Sequence, residues 1–208
     1  MTTTTLTKTQ GSVLLAHTQQ ATAVVTIGSA VDVSTKMAAQ VSIKMGRTVA
    51  TALTNEVAFR LEASAKSSGN DEWYPISQWT SSDGKTAASS TTLNDASFNA
   101  GDTTCTLTSA TGFAAGDFVY FRETGTPGNS EWCREKSVSG SVITLEEATT
   151  RNHTKGINVC DLSESWSFQV DCAAIGRLRL VVDTASAASG QTVDVIGWIS
   201  TLDSASTS

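Results

Sequence analysis

Residues 98–156, FNAGDTTCTLTSATGFAAGDFVYFRETGTPGNSEWCREKSVSGSVITLEEATTRNHTKG, set the terms for reading the whole chain. After the turn Asn99-Ala100-Gly101-Asp102, Cys105 and Leu107 alternate with threonines, which predicts a half-buried strand over 103–108. Ser109 to Gly112 breaks that strand. Gly116-Asp117 then turns into Phe118-Val119-Tyr120-Phe121, a run too apolar for one face and so expected to be covered on both. A polar loop containing Gly125, Pro127 and Gly128 leads to a strand over 131–136, and Ser139-Gly140 turns the chain into Val142-Ile143-Thr144-Leu145. Four short strands, each ended by a glycine turn, predict one compact β unit over 95–160, with an apolar set (Cys105, Leu107, Phe113, Phe118, Val119, Phe121, Trp132, Val142, Ile143 and Leu145) sufficient for a small core.

The flanks of this unit carry strands of their own. Val41, Ile43 and Met45 alternate with Ser42 and Lys44, and Val57, Phe59, Leu61 and Ala63 alternate with Arg60 and Glu62. The polar tip Ser67 to Asp71 joins the second of these to Trp73-Tyr74-Pro75-Ile76 as a hairpin. On the far side, Trp166 to Cys172 alternates, Arg177 to Val182 follows, and Thr192 to Ile199 closes after a turn at Ser186 to Gly190. Ser81 to Ser97 reads as a linker and Asp161 to Ser165 as the return point. The expectation is all-β: a sandwich of jelly-roll or immunoglobulin-like type formed discontinuously from 12–85 and 162–202, with 95–160 inserted as a small β domain. Residues 1–11 are expected to be an extended N-terminal arm and 203–208 a loose tail. For the arm, a frayed terminus and a strand ordered against a neighbouring subunit through Thr2, Thr3, Thr4, Thr5 and Leu6 both fit its threonine-rich composition.

Composition narrows the function classes. Of 208 residues, 39% are hydrophobic and only 16% charged, so cores can form while Ser, Thr, Ala and Gly supply strands and turns. The net charge is −6 with both signs mixed along the chain, which leaves no basic stripe to neutralise phosphates and argues against nucleic-acid binding. No apolar run approaches the roughly 20 residues of a membrane span. The start lacks the basic and apolar regions of a secretory signal, so the expectation is a protein made in the cytoplasm that leaves by lysis or within a particle. Cys105, Cys133, Cys160 and Cys172 lie far apart, without a CxxC pair, and read as buried free thiols; oxidised, they would allow three connectivities that the sequence does not rank.

The words Gly101-Asp102, Gly112-Phe113, Gly116-Asp117, Val138-Ser139-Gly140 and His153 follow the order "AGDT-strand, GFxxGD-strand, VSG-strand, xHxxG". In that order the run resembles a module that recurs in virion proteins of tailed bacteriophages, and it covers under a third of the chain. The flanking pattern GSAVDVS…VSIKM…FRLEASAKSSGNDEWYPI is similar to a β-sandwich common in phage structural proteins, whose RLRLVV-like segment comes here only after the insert. The resemblance implies a non-enzymatic capsid decoration or cement protein on the virion surface. It also implies the major capsid protein as partner, a homo-oligomer (a trimer at a local threefold axis), and no cofactor. A carbohydrate- or receptor-binding module of a tail fibre is the alternative, with Trp73, Tyr74 and Trp79 as its aromatic contact patch; a head–tail connector component is another.

Chemistry-bearing residues are sparse. His17 and His153 are the only histidines, and no G-x-S-x-G elbow accompanies them, so no catalytic triad is expected and His153 reads as a structural hydrogen-bonding residue. Glu131, Glu135, Glu146 and Glu147 supply carboxylates for glycoside hydrolysis only on paper, since solvated strands carry such residues anyway. Asp32, Asp95, Asp102 and Asp117 sit in turns, where short acidic side chains cap the backbone. Neither a zinc cluster nor a D-x-[DN]-x-[DN]-G calcium loop occurs, so no metal is expected.

Overall fold

The structure is a computed structural model describing residues 4–20, 24–48, 56–69, 72–81, 88–184 and 192–207. Its strands run in chain order as β1 (Thr4–Gln20), β2 (Val25–Ile27), β3 (Val31–Asp32), β4 (Ala38–Arg47), β5 (Ala58–Ser64), β6 (Tyr74–Thr80) and β7 (Ser90–Thr92). They continue as β8 (Thr104–Thr106), β9 (Phe118–Arg122), a 3-10 turn at Pro127–Asn129, β10 (Glu131–Ser139), β11 (Val142–Leu145), β12 (Asn158–Asp171), β13 (Arg177–Asp183) and β14 (Val193–Thr207). The fold is nearly all β, in two antiparallel sheets. The larger has the order β1-β14-β4-β12-β9-β10-β11-β8 with β7 beside β12, and the smaller β2-β13-β5-β6 with β3 beside β13.

The sandwich follows from the alternation along its strands. Val41, Ile43 and Met45 of β4 and Val195 and Ile199 of β14 face Phe59 and Leu61 of β5 and Leu178, Leu180 and Val182 of β13, all at most 1% exposed. Each such side chain contributes about 1.5–3 kcal/mol by leaving water. A second apolar cluster lies wholly within 93–159 and is built from Leu93, Phe98, Leu107, Val119, Phe121, Ile143, Leu145 and Val159. The four strands expected over 103–145 all form: β9, β10 and β11 pair in sequence order, and β8 pairs with β11.

The sheet does not stop where the two clusters divide, and here the expected boundary at 160–162 needs correction. β12 is one strand that pairs with β7 and β9 through Asn158 to Ser163 and with β4 from Glu164 to Asp171. A register shift between Cys160 and Ser163, with Leu162 at φ 49°, bends the strand at the crossing. A left-handed φ at a leucine costs roughly 1–2 kcal/mol, and the backbone hydrogen bonds on both sides hold it in place. Insert and sandwich therefore keep separate cores but share one continuous sheet.

The chain ends also differ from expectation. The arm (residues 1–11) and the tail (203–208) are not separate elements: β1 runs from Thr4 to Gln20, and Thr4 to Thr7 pair with Ser204 to Thr207 of β14. Neither end has apolar area to order itself, but each satisfies the other's backbone groups, and β-branched threonines suit the ladder. Thr2, Thr3, part of the expected linker (82–87) and the turn at 186–190 lie outside the described residues, and Ser90 to Thr92 of that linker form β7 against β12.

Candidate functional site

The insert meets the sandwich through β9. Alternation sends Val119 and Phe121 into the insert core and Tyr120 and Arg122 the opposite way, toward β4 and β14. Tyr120 lies against Gly46, where a Cβ would collide with the phenol ring, so glycine is what lets the ring approach β4. The Tyr120 hydroxyl donates to Asp194 Oδ2 at 2.8 Å, and Arg122 Nε donates to the same oxygen at 2.7 Å. Asp194 is 1% exposed, so both donors compensate the desolvation of its charge.

His17 of β1 completes the group, with Nε2 2.8 Å from the Tyr120 hydroxyl. Burial holds His17 below its ordinary value, against the pull of Asp194. Burial, then the Asp194 charge, raises Tyr120 and keeps it protonated. Since the single phenolic proton goes to Asp194, neutral His17 donates from Nε2. Trp132 stacks on the other side of Tyr120 at 4.4 Å, with the His17 ring edge-on to it at 5.9 Å. The arrangement ties β1, β4, β9, β10 and β14 together.

Beside this junction opens a cleft of about 590 Å³. One wall is the outer face of the larger sheet, where His17, Lys44, Ile196 and Trp198 stand. The other is the insert, which contributes Phe118, Trp132, Arg134 and the segment from Glu146 to Arg151. Lys44 Nζ sits 5.9 Å above the Trp132 ring and Arg134 5.0 Å from Phe118.

Two further polar groups lie inside the insert. His153, with a fully buried side chain, is stacked between Phe98 and Phe121. Its Nε2 is 3.2 Å from Glu131 Oε2, and its Nδ1 is 3.7 Å from Glu123 Oε1. Glu131 also accepts from the Thr150 N–H and hydroxyl, and Glu123 from the Thr154 N–H. Burial raises Glu131, but the His153 and Thr150 hydrogen bonds outweigh it and leave the carboxyl below its ordinary value. Glu135 of β10 is wholly buried with neither carboxyl oxygen hydrogen-bonded; burial first, then Asp161 and Asp117, push it up to about 8.

The aromatic patch expected from Trp73, Tyr74 and Trp79 is not one surface, because the register shift in the β5–β6 ladder, where Leu61 faces Ser77 and Glu62 faces Pro75, puts an extra residue between Trp73 and Trp79 and reverses their alternation. Trp79 turns inward, 5.5 Å from Phe59 and 4.6 Å from Phe168. Trp73 lies under Arg179 and Arg177 at 4.1 and 5.0 Å, and only Tyr74 is open, at 58%. Asp32 and Asp102 cap their own turns through the Ser34 and Asn99 N–H groups, and Asp95 accepts from Thr106. Glu146 and Glu147 line the cleft, and the four cysteines are free thiols. Among the described residues no cluster of three or more His, Cys, Asp or Glu could hold a metal ion. The Tyr120–Asp194–Arg122 group was missed by sequence reasoning; its signal was a lone Asp inside the apolar run Val193 to Ile199.

Compared with known proteins, the chain matches no family model, and no curated protein matches it.

Proposed function

We propose that the protein is a non-enzymatic structural subunit of a tailed-bacteriophage particle. In this reading it is a decoration or cement protein that acts as a homo-oligomer, with a trimer favoured, and bridges major capsid protein subunits on the virion surface after assembly in the host cytoplasm. The observation that carries the reading is the free edge of β1. This strand forms the end of the larger sheet, and its second edge pairs with no strand among the described residues. It runs 17 residues, about 55 Å at roughly 3.3 Å per residue, with Lys8 as its only charged side chain.

Soluble proteins guard such edges with charges, prolines, short strands or bulges, because unpaired N–H and C=O groups recruit further strands. The ladder shifts register four times beyond Thr7, whereas Thr4 to Thr7 stay regular, which makes this first segment suited to pairing with a neighbouring subunit. The insert's resemblance to a virion module points the same way. Both histidines are engaged in buried contacts with aromatic and carboxylate neighbours, which supports a structural role over a catalytic one.

Quantitative mass spectrometry of purified particles tests the proposal. A copy number comparable with that of the major capsid protein is expected; a trace number typical of a tail fibre overturns it.

A further inference from the structure

We propose that the cleft between the insert and the outer face of the larger sheet binds an uncharged oligosaccharide. This goes beyond the structural role above and does not rest on it. Its volume of about 590 Å³ lies within the roughly 300–1,000 Å³ of small-ligand sites. The rim is balanced in charge: Lys44, Arg134 and Arg151 stand against Glu131, Glu146 and Glu147, three of each sign, and His17 is held toward its neutral form. A polyanion would meet the three carboxylates, and a polycation the three basic groups. A sugar hydroxyl both donates and accepts, so it can use both signs.

The rim is also available. Lys44, Arg134, Arg151, Glu146 and Glu147 make no ion pair with other described residues, while Glu131 is fixed by His153 and Thr150. For a ring to lie on, Trp198 is the open platform. It stands on the outer face of β14 beside Ile196, half-buried, and the adjacent Gly197 keeps the sheet close-packed beneath it. Apolar C–H faces of a sugar stack on such an indole while its hydroxyls reach the rim. Trp132, at 7% exposure between Tyr120 and Lys44, serves as a rigid wall instead.

The test titrates the full chain with maltohexaose, cellohexaose, chitohexaose and mannohexaose, following tryptophan fluorescence and the indole N–H resonances. Saturable binding of at least one hexasaccharide is expected, shifting the Trp198 indole resonance and leaving that of Trp73 in place. Affinity should hold between low and high salt, because a neutral ligand releases no counterions. Trp198→Ala should weaken binding about tenfold or more, while Trp198→Phe, which keeps a ring and the fold, stays within a few-fold of the natural protein, as do Trp73→Ala and Tyr74→Ala. Absence of saturation with all four sugars overturns the proposal. So does binding confined to a heparin hexasaccharide or to an extended peptide, or binding that survives Trp198→Ala unchanged.

Discussion

Glu135 is the residue whose environment is most at odds with its chemistry: a carboxyl with no exposed area, no hydrogen-bond partner, and Asp161 and Asp117 nearby. The folded state keeps the proton that the unfolded chain releases near 4.5, since burial and these neighbours move Glu135 up to about 8. Folding stability therefore declines as the pH rises from about 4.5 to about 8. Asp161, raised to about 6 by burial with Asp117 adding, declines in the same sense over a lower window, from 3.8 to about 6. Chemical denaturation of Glu135→Gln across pH 5–9 should remove the fall above pH 6 and leave only the Asp161 share of it below; a profile unchanged above pH 6 would refute this assignment. Asp194 has the opposite character, a buried carboxylate already supplied with donors from Tyr120 and Arg122. Asp194→Ala leaves Arg122 unpaired and should cost about 3–5 kcal/mol, against about 1 kcal/mol for Tyr120→Phe. The double variant should fall well short of the sum, because both changes break one network.

At the scale of the element, β1 divides its work. Its second half carries Leu14 and Leu15 into the sandwich core, while the backbone of its first four residues pairs with the end of β14. Removing residues 1–7 should shift the melting temperature by no more than a few degrees, because the buried clusters of the sandwich and the insert contain none of these residues among those described. It should, however, abolish incorporation into particles if the edge recruits a neighbour; cosedimentation of the truncated protein with particles at the natural stoichiometry would defeat that assignment. β12 shows the complementary case, in which one strand serves two cores and the bend at Leu162 re-aims it between them.

For the whole molecule, the question is whether two cores on one sheet melt as one unit. The two apolar clusters share no residue, yet β9 and β12 are paired across the boundary and Tyr120 crosses it. Replacing 95–160 with a short Gly-Ser linker removes β8 to β11 and the start of β12 but leaves the sandwich cluster complete. Closing the longer natural loop costs only about 0.6 kcal/mol per doubling of length, so its replacement adds little strain. The expected product is soluble and melts cooperatively, at a lower temperature than the full chain because Asp194 loses both partners and β4 loses its cover at Gly46. Failure of the remaining segments to fold would show that the shared sheet, rather than the separate cores, governs stability.

What the sequence by itself determined is the class of fold and the rhythm of its elements. Period-two alternation in Val41 to Met45, Phe59 to Ala63 and Leu178 to Val182, and glycine turns at 101, 112, 116 and 140, are local consequences of strand geometry and positive φ, so they are legible without neighbours. The turn roles of Asp32 and Asp102 are local in the same way. Which side chains meet across the fold was decided only by tertiary structure. Trp73 and Trp79 are close in sequence but separated by the strand that carries them. Tyr120, Asp194 and His17 are far apart in sequence and converge because β9, β14 and β1 pack at one junction. The ladder between the chain ends is equally non-local: hydrogen bonds from Thr4 to Thr207 depend on register, and register is set by the core rather than by the threonines that use it.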